Sequence, residues 1–392
     1  MKITKRFSAI ALAAVMLSSL ASCSGGSSLS QESASSASSS ASSSASSVIE
    51  TTDATKPPET DIVDKLLSEM TLEEKVGQMF YSAASAGAGE EWITKYHMGG
   101  YVLFGNDFDG KSADDVRAMI QGYQMRSKVP LLIGVDEEGG TVLRVSYHEQ
   151  LRSSGFDSPK NVYQSGGWEA IDATETERAE LLTSLGINVN NAPVCDITSN
   201  PDSFIYDRSF SGDPDEVSTF VKKVVDICKD KKLGTVLKHF PGYGDNTDTH
   251  EDMSYDSRPL DDFRNRDFIP FKAGIEAGAD SIMVAHNIMA DVDADYPASL
   301  SKKVHDIIRN ELGFDGVIMT DDLAMQAIAK YTGAEAAAVT AAKCGNDILC
   351  CTDVEAQYPA VLEAVKNGDI PQEQIDASVK RILKWKHNLG LI

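Results

Sequence analysis

Apolar residues in this chain fall into two rhythms. Short unbroken runs with few polar interruptions occupy residues 101–104, 131–135, 187–191, 235–238, 281–285, 317–320 and 347–350. They are rich in β-branched side chains, as parallel strands buried on both faces are. Between them, apolar positions recur at helical spacing. Residues 61–80 read as a helix with a strand-like end, burying Leu66, Leu67, Met70 and Val76. Pro259-Leu260 opens another helix, in which Phe263, Phe271 and Ile275 share a face and which Gly278 closes. Ser299 or Ser301 caps the next, whose Val304, Ile307, Ile308 and Leu312 repeat before Gly313 stops it. With a first strand near 79–81 the count reaches about eight βα units. The predicted fold class is α/β, a (β/α)8 TIM-barrel-like single catalytic domain over residues 59–392. A doubly wound open sheet is the alternative, but no Gly-rich dinucleotide loop follows any of the strands.

The first part of the chain obeys neither rhythm. Lys2, Lys5 and Arg6 precede an apolar stretch over residues 7–17, too short to span a bilayer. This is the pattern of an export signal, assigned to residues 1–22. It ends Leu20-Ala21-Ser22-Cys23, which resembles the lipobox of bacterial lipoproteins. That resemblance implies cleavage before Cys23 and a lipid anchor on it; cleavage by ordinary signal peptidase is the alternative. Residues 24–58 are dominated by Ser and Ala, a composition that cannot bury enough apolar surface to fold. Residues 23–58 are therefore expected to be an anchored, disordered tether, holding the catalytic domain outside the cytoplasm at the membrane.

Composition narrows the partners. With 36 Lys+Arg against 59 Asp+Glu the formal net charge is −23, which repels nucleic acid and acidic headgroups. Six cysteines contain no CxxC pair, so neither a zinc site nor a dense disulfide framework is expected. No cofactor motif is present, and a monomer is expected.

In a barrel, chemistry collects where the strands end. Asp136-Glu137-Glu138-Gly139-Gly140 and Arg144 follow the third run. Asp196 and the stretch Tyr206-Asp207-Arg208-Ser209-Phe210 follow the fourth. KHFPGYGDNTDTH, residues 238–250, closes the fifth, His286-Asn287 follow the sixth, and Asp321-Asp322 the seventh. Carboxylates, two arginines and a Lys-His pair suit a neutral, polyhydroxylated substrate held by charged hydrogen bonds. Sugar fits that description. The Asp248-x-His250 spacing lets a carboxylate meet an imidazole in an extended loop, setting its tautomer and raising its basicity.

Several segments, in order, resemble glycoside hydrolase family 3, and in particular its β-N-acetylglucosaminidase (NagZ-type) branch. They are MTLEEKVGQMF at 70–80, GVDEEGGTVLR at 134–144, NAPVCDI at 191–197 and YDRSF at 206–210. KHFPGYGDNTDTH at 238–250 and GFDGVIMTDDL at 313–323 complete the series. The resemblance implies a retaining exo-hydrolase removing terminal β-linked GlcNAc from peptidoglycan fragments or chitooligosaccharides. It implies Asp321 as nucleophile, His250 as proton donor and acceptor, and Asp248 as its partner. Asp136, Arg144, Arg208, Lys238 and His239 match sugar-binding positions. A histidine can replace the usual second carboxylate because its pKa lies near neutrality. Tyr243, Thr249, Glu137 and Thr141 depart from the branch's usual residues, and the loop between Gly244 and Asp248 is one residue shorter. Other readings stay open: phosphate as glycosyl acceptor, a β-glucosidase, a non-catalytic sugar-binding lipoprotein, or Asp248, His250 and Asp321 as metal ligands.

Overall fold

The computed structural model describes residues 59–84, 89–246, 254–325, 328, 331–351 and 353–392. Cys23, Asp248 and His250 lie outside the described residues.

Eight strands form one parallel sheet: β1 (Phe80–Ala83), β2 (Gly100–Val102), β3 (Leu132–Val135), β4 (Val189–Asn190), β5 (Gly234–Phe240), β6 (Ser281–Val284), β7 (Val317–Thr320) and β8 (Leu349–Cys351). Each pairs with the next in chain order, from Tyr81↔Gly100 through Ser281↔Val317. β8 returns to β1 through Phe80↔Leu349, and Met319↔Ile348 joins β7 to the approach of β8. The sheet is thus a nearly closed (β/α)8 barrel. All eight predicted runs contribute a strand, because each is apolar on both faces and has nowhere else to go.

The barrel interior is tight. Tyr81 turns inward from β1 and its hydroxyl donates to Asn191 Oδ1 at 3.4 Å. A Cβ at Gly134 would sit 1.6 Å from that hydroxyl, so β3 can pass beside Tyr81 only with glycine there.

Local signals explain most helices and correct one. Residues 61–80 do not make a single helix but two, Glu59–Glu69 and Leu72–Gln78. Thr71 interrupts them with a capping box: its Oγ1 accepts from Glu74 N at 3.2 Å, and the Glu74 carboxylate accepts from Thr71 N at 2.9 Å. Val76 and Met70 are buried as expected, while Leu66 and Leu67 are only partly covered. Ser301, not Ser299, caps the helix at Lys302–Asp306, accepting from Val304 N. Gly278 and Gly313 end their helices with φ of 91° and 67°. Cys195, Cys228 and Cys344 are buried thiols; burial pushes Cys344 up to about 12, so these sulfurs are packing groups.

Candidate active site

The loops leaving the C-terminal ends of the strands enclose a cavity of about 420 Å³. Asp136, Glu138, Arg144, Arg208, Lys238, His239 and Asp321 all line it. The chain builds it from the β3 end outward. Gly139 and Gly140 turn the backbone with φ of 95° and 66°, conformations that other residues rarely adopt. The fully buried Glu137 carboxylate then accepts from the amides of Arg144, Val145 and Ser146 at 2.8, 2.7 and 3.2 Å. That clamp folds residues 137–146 back and delivers Arg144 to the cavity. Its guanidinium lies 5.6 Å from the Phe104 ring centroid, and Nε finds no protein partner among the described residues.

Glu138 is the hub. It pairs with both Nε and Nη2 of Arg208, at 2.9 and 2.8 Å, and with Lys238 Nζ at 2.7 Å. Lys238 also reaches Asp136 Oδ1 at 2.8 Å. Burial alone would push the Glu138 carboxyl up, but the Arg208 guanidinium and the Lys238 ammonium overrule it and hold it well below the usual carboxylate range. Burial likewise works against the charge on Lys238, and Asp136 and Glu138 overcome it, so its pKa rises. Glu138, Lys238 and Arg208 therefore stay charged inside a nearly dry cluster. Fixed charges of this kind present oriented donors and acceptors without needing to reorganise around a ligand.

β5 carries Lys238 and His239 just before its last residue, joined by a cis peptide bond. Arg208 Nη2 lies 3.1 Å from His239 Nε2, and a guanidinium only donates, so Nε2 accepts. The ring proton is then on Nδ1, which donates to Asp196 Oδ2 at 2.7 Å. Asp196 also takes the backbone amides of His239 and Tyr243, at 3.1 and 2.8 Å, which fixes the start of the loop that follows. Beyond it, Thr198 donates to Asp245, Asn246 to Asp256, and Arg258 to Asp256, Asp267 and Gly242 O. Both flanks of residues 247–253 are thereby pinned to the barrel.

Asp321 stands at the end of β7. Its amide donates to Val284 O at 2.9 Å, and its Oδ1 accepts from Asp322 N at 2.9 Å. The Asp322 carbonyl accepts from His286 Nε2 at 2.9 Å, which leaves Nδ1 to accept from Ser299 Oγ at 2.7 Å. Asp322 Oδ1 accepts from Ala324 N, so this residue shapes the loop that follows Asp321.

With this geometry in hand, comparison with known proteins is direct. Residues 71–385 match the model of the glycosyl hydrolase family 3 N terminal domain. The chain belongs to glycosyl hydrolase family 3. It is 32% identical over 305 residues to the beta-hexosaminidase LpqI of Mycobacterium tuberculosis, covering 75% of this chain and 77% of that one. The solved LpqI structure superposes with a TM-score of 0.72 at 29% identity, over 82% of this chain and 95% of that chain. A family 3 beta-N-acetylglucosaminidase from Paenibacillus sp. str. FPU-7 gives 0.77 at 31% identity, over 82% of this chain and 63% of that one. The beta-glucoside phosphorylase BglX, solved with bound 2FGlc, gives 0.77 at 25% identity, over 85% and 61%. This chain spans under two thirds of the last two.

Of the residues singled out in the sequence, Asp136, Arg144, Arg208, Lys238, His239 and Asp321 meet at this one family 3 cavity. Glu138, which the resemblance does not place among the sugar-binding positions, lines the cavity and joins its two cations. Asn191, at the end of β4, also lines the cavity and was missed. The signal for both was available: each lies within three residues of a strand end on the catalytic face.

Proposed function

We propose that this protein is a retaining exo-acting β-N-acetylglucosaminidase that hydrolyses terminal β-linked GlcNAc from peptidoglycan fragments or chitooligosaccharides. The observation that carries this is the convergence of Asp321 with the Asp136–Lys238–Glu138–Arg208 network in one pocket of a family 3 barrel. In this reading the charged network and Arg144 bind the sugar hydroxyls and the acetamido group. The Asp321 carboxylate attacks the anomeric carbon as the bond to the leaving oxygen breaks, and His250, oriented by Asp248, protonates that oxygen. His250 then takes a proton from water, whose oxygen displaces Asp321 from the sugar. The names of LpqI and of the Paenibacillus enzyme support the substrate class.

A chromogenic assay comparing β-GlcNAc with β-glucose, with and without phosphate, tests it. Preferred hydrolysis of the GlcNAc substrate is expected, and Asp321→Asn should lower turnover by at least about a thousandfold. Undiminished turnover in that variant would sink the assignment. The likeness to BglX favours a second reading, phosphorolysis. Phosphate-stimulated turnover releasing sugar 1-phosphate would establish it instead.

The location is a further part of the proposal: an extracytoplasmic enzyme tethered through a lipid on Cys23. The charged start, the short apolar stretch and the Leu20-Ala21-Ser22-Cys23 ending support it. Cys23→Ala should abolish palmitate labelling, and continued labelling of that variant would refute the anchor.

A further inference from the structure

The described surface carries five exposed large apolar side chains, and four of them are tyrosines: Tyr147, Tyr255, Tyr296 and Tyr331. All four leave strand C-termini, following β3, β5, β6 and β7 in turn. The fifth, Met125, is on an outer helix. Exposed aromatic surface is thus concentrated on the face that holds the cavity.

Two of the four meet. The Tyr296 and Tyr331 rings lie edge to face, 6.2 Å apart, and the Tyr331 hydroxyl donates to Asp295 O. Partial burial pushes the Tyr331 hydroxyl up, and Tyr296, Asp295 and Asp293 nearby push it the same way. The segments after β5 and β6 are fastened to each other. Tyr255–Asp256 pairs with Ile288–Met289, with Ile288 N donating to Ser254 O at 2.8 Å and Ala290 N to Asp256 O at 2.9 Å. His286 ties the β6 loop to the Asp322 carbonyl beside Asp321. Tyr331 follows Met325, a residue of the cavity wall, by six positions.

We propose that Tyr296 and Tyr331 form a stacking platform for the leaving-group side of the substrate, a neutral β-linked oligosaccharide extending out of the cavity. A pyranose offers an apolar C–H face with hydroxyls at its rim. Tyrosine rings bordered by Asp293 and Asp295 match both, the rings by stacking and the oxygens by accepting hydroxyl protons. A net charge of −23 disfavours an anionic partner on the same surface. The two rings already touch each other without a ligand, so little ordering cost opposes binding. The platform rests on the reading of the cavity as a GlcNAc site.

The test is the ratio of kcat/KM for N-acetylchitotetraose to that for methyl β-GlcNAc, which has no leaving sugar. The double variant Tyr296→Ala/Tyr331→Ala should lower this ratio about tenfold, and Tyr331→Phe, which keeps the ring, should preserve it. An unchanged ratio in the double variant overturns the platform. If the wild-type protein turns over neither compound, the GlcNAc assignment of the cavity fails on its own, and calorimetric titration with chitotetraose decides the platform. Binding weakened about tenfold in the double variant supports it; equal binding, or none to the wild type, overturns it.

Discussion

Lys238 and Lys386 sit at opposite ends of the barrel, one 2% exposed and the other fully buried, and their chemistry is opposite. Lys238 meets two carboxylates, Asp136 and Glu138, and stays a cation where the substrate cavity opens. Lys386 lies beneath the start of β1, where Nζ donates to Gln78 Oε1 at 2.6 Å, and Gln78 in turn donates to His97 O. Facing a neutral amide and no carboxylate among the described residues, its amine is pushed by burial down to about 7. Depth within the fold does not decide what a lysine does. The groups that share the depth decide it.

The comparison breaks most visibly at Lys238. Lys238→Met leaves Asp136 without its cation and Glu138 with only Arg208. It should lower kcat/KM about a hundredfold and destabilise the fold by about 3 kcal/mol. Assay and urea unfolding read the two losses separately, and a fall in stability with full activity would remove Lys238 from the binding array. Lys386→Met should act in the other direction. Replacing a desolvated amine by an apolar chain of similar length should stabilise the protein at pH 7 by roughly 1–2 kcal/mol and leave activity within about twofold, since the site is at the other end. A loss of stability would mean that the contact with Gln78 outweighs the buried amine.

The third effect is a slope. Lys386 titrates near 10.5 when unfolded and at about 7 when folded, so the unfolded chain binds more protons between those values. Stability contributed by this group is complete above about 10.5 and is lost as pH falls toward 7. Unfolding free energy should therefore rise between pH 7 and 9.5 in the wild type and rise less in Lys386→Met. Parallel curves would show that the lysine is not the source. Glu138 works in a separate window: its folded pKa is depressed, so its contribution is full above about 4.5 and fades below it.

Legibility differed along the same axis. Each barrel strand was visible because a run such as Val317–Thr320 is apolar on both faces, a pattern that only a covered parallel strand satisfies. Helix ends were visible where a glycine or serine marks them. The break at Thr71 was not seen, although its capping partner Glu74 stands three residues on, because the apolar period of the flanking residues runs through it. Glu138 was underrated for a different reason. Its partners Arg208 and Lys238 are 70 and 100 residues away, and no local pattern announces an ion pair across two loops.

By itself the sequence determined the eightfold strand and helix order, the family, and the candidate residues Asp136, Arg144, Arg208, Lys238, His239 and Asp321. These depend on local periodicity and on motifs that sit within a few residues of a strand end. Tertiary structure alone decided which charges meet. It made Glu138 the bridge between two cations, fixed the His239 tautomer through Arg208 and Asp196, brought Tyr296 and Tyr331 of two loops together, and set Lys386 against the Gln78 amide. Charge and protonation are set by neighbours in space, and those neighbours come from different turns of the barrel.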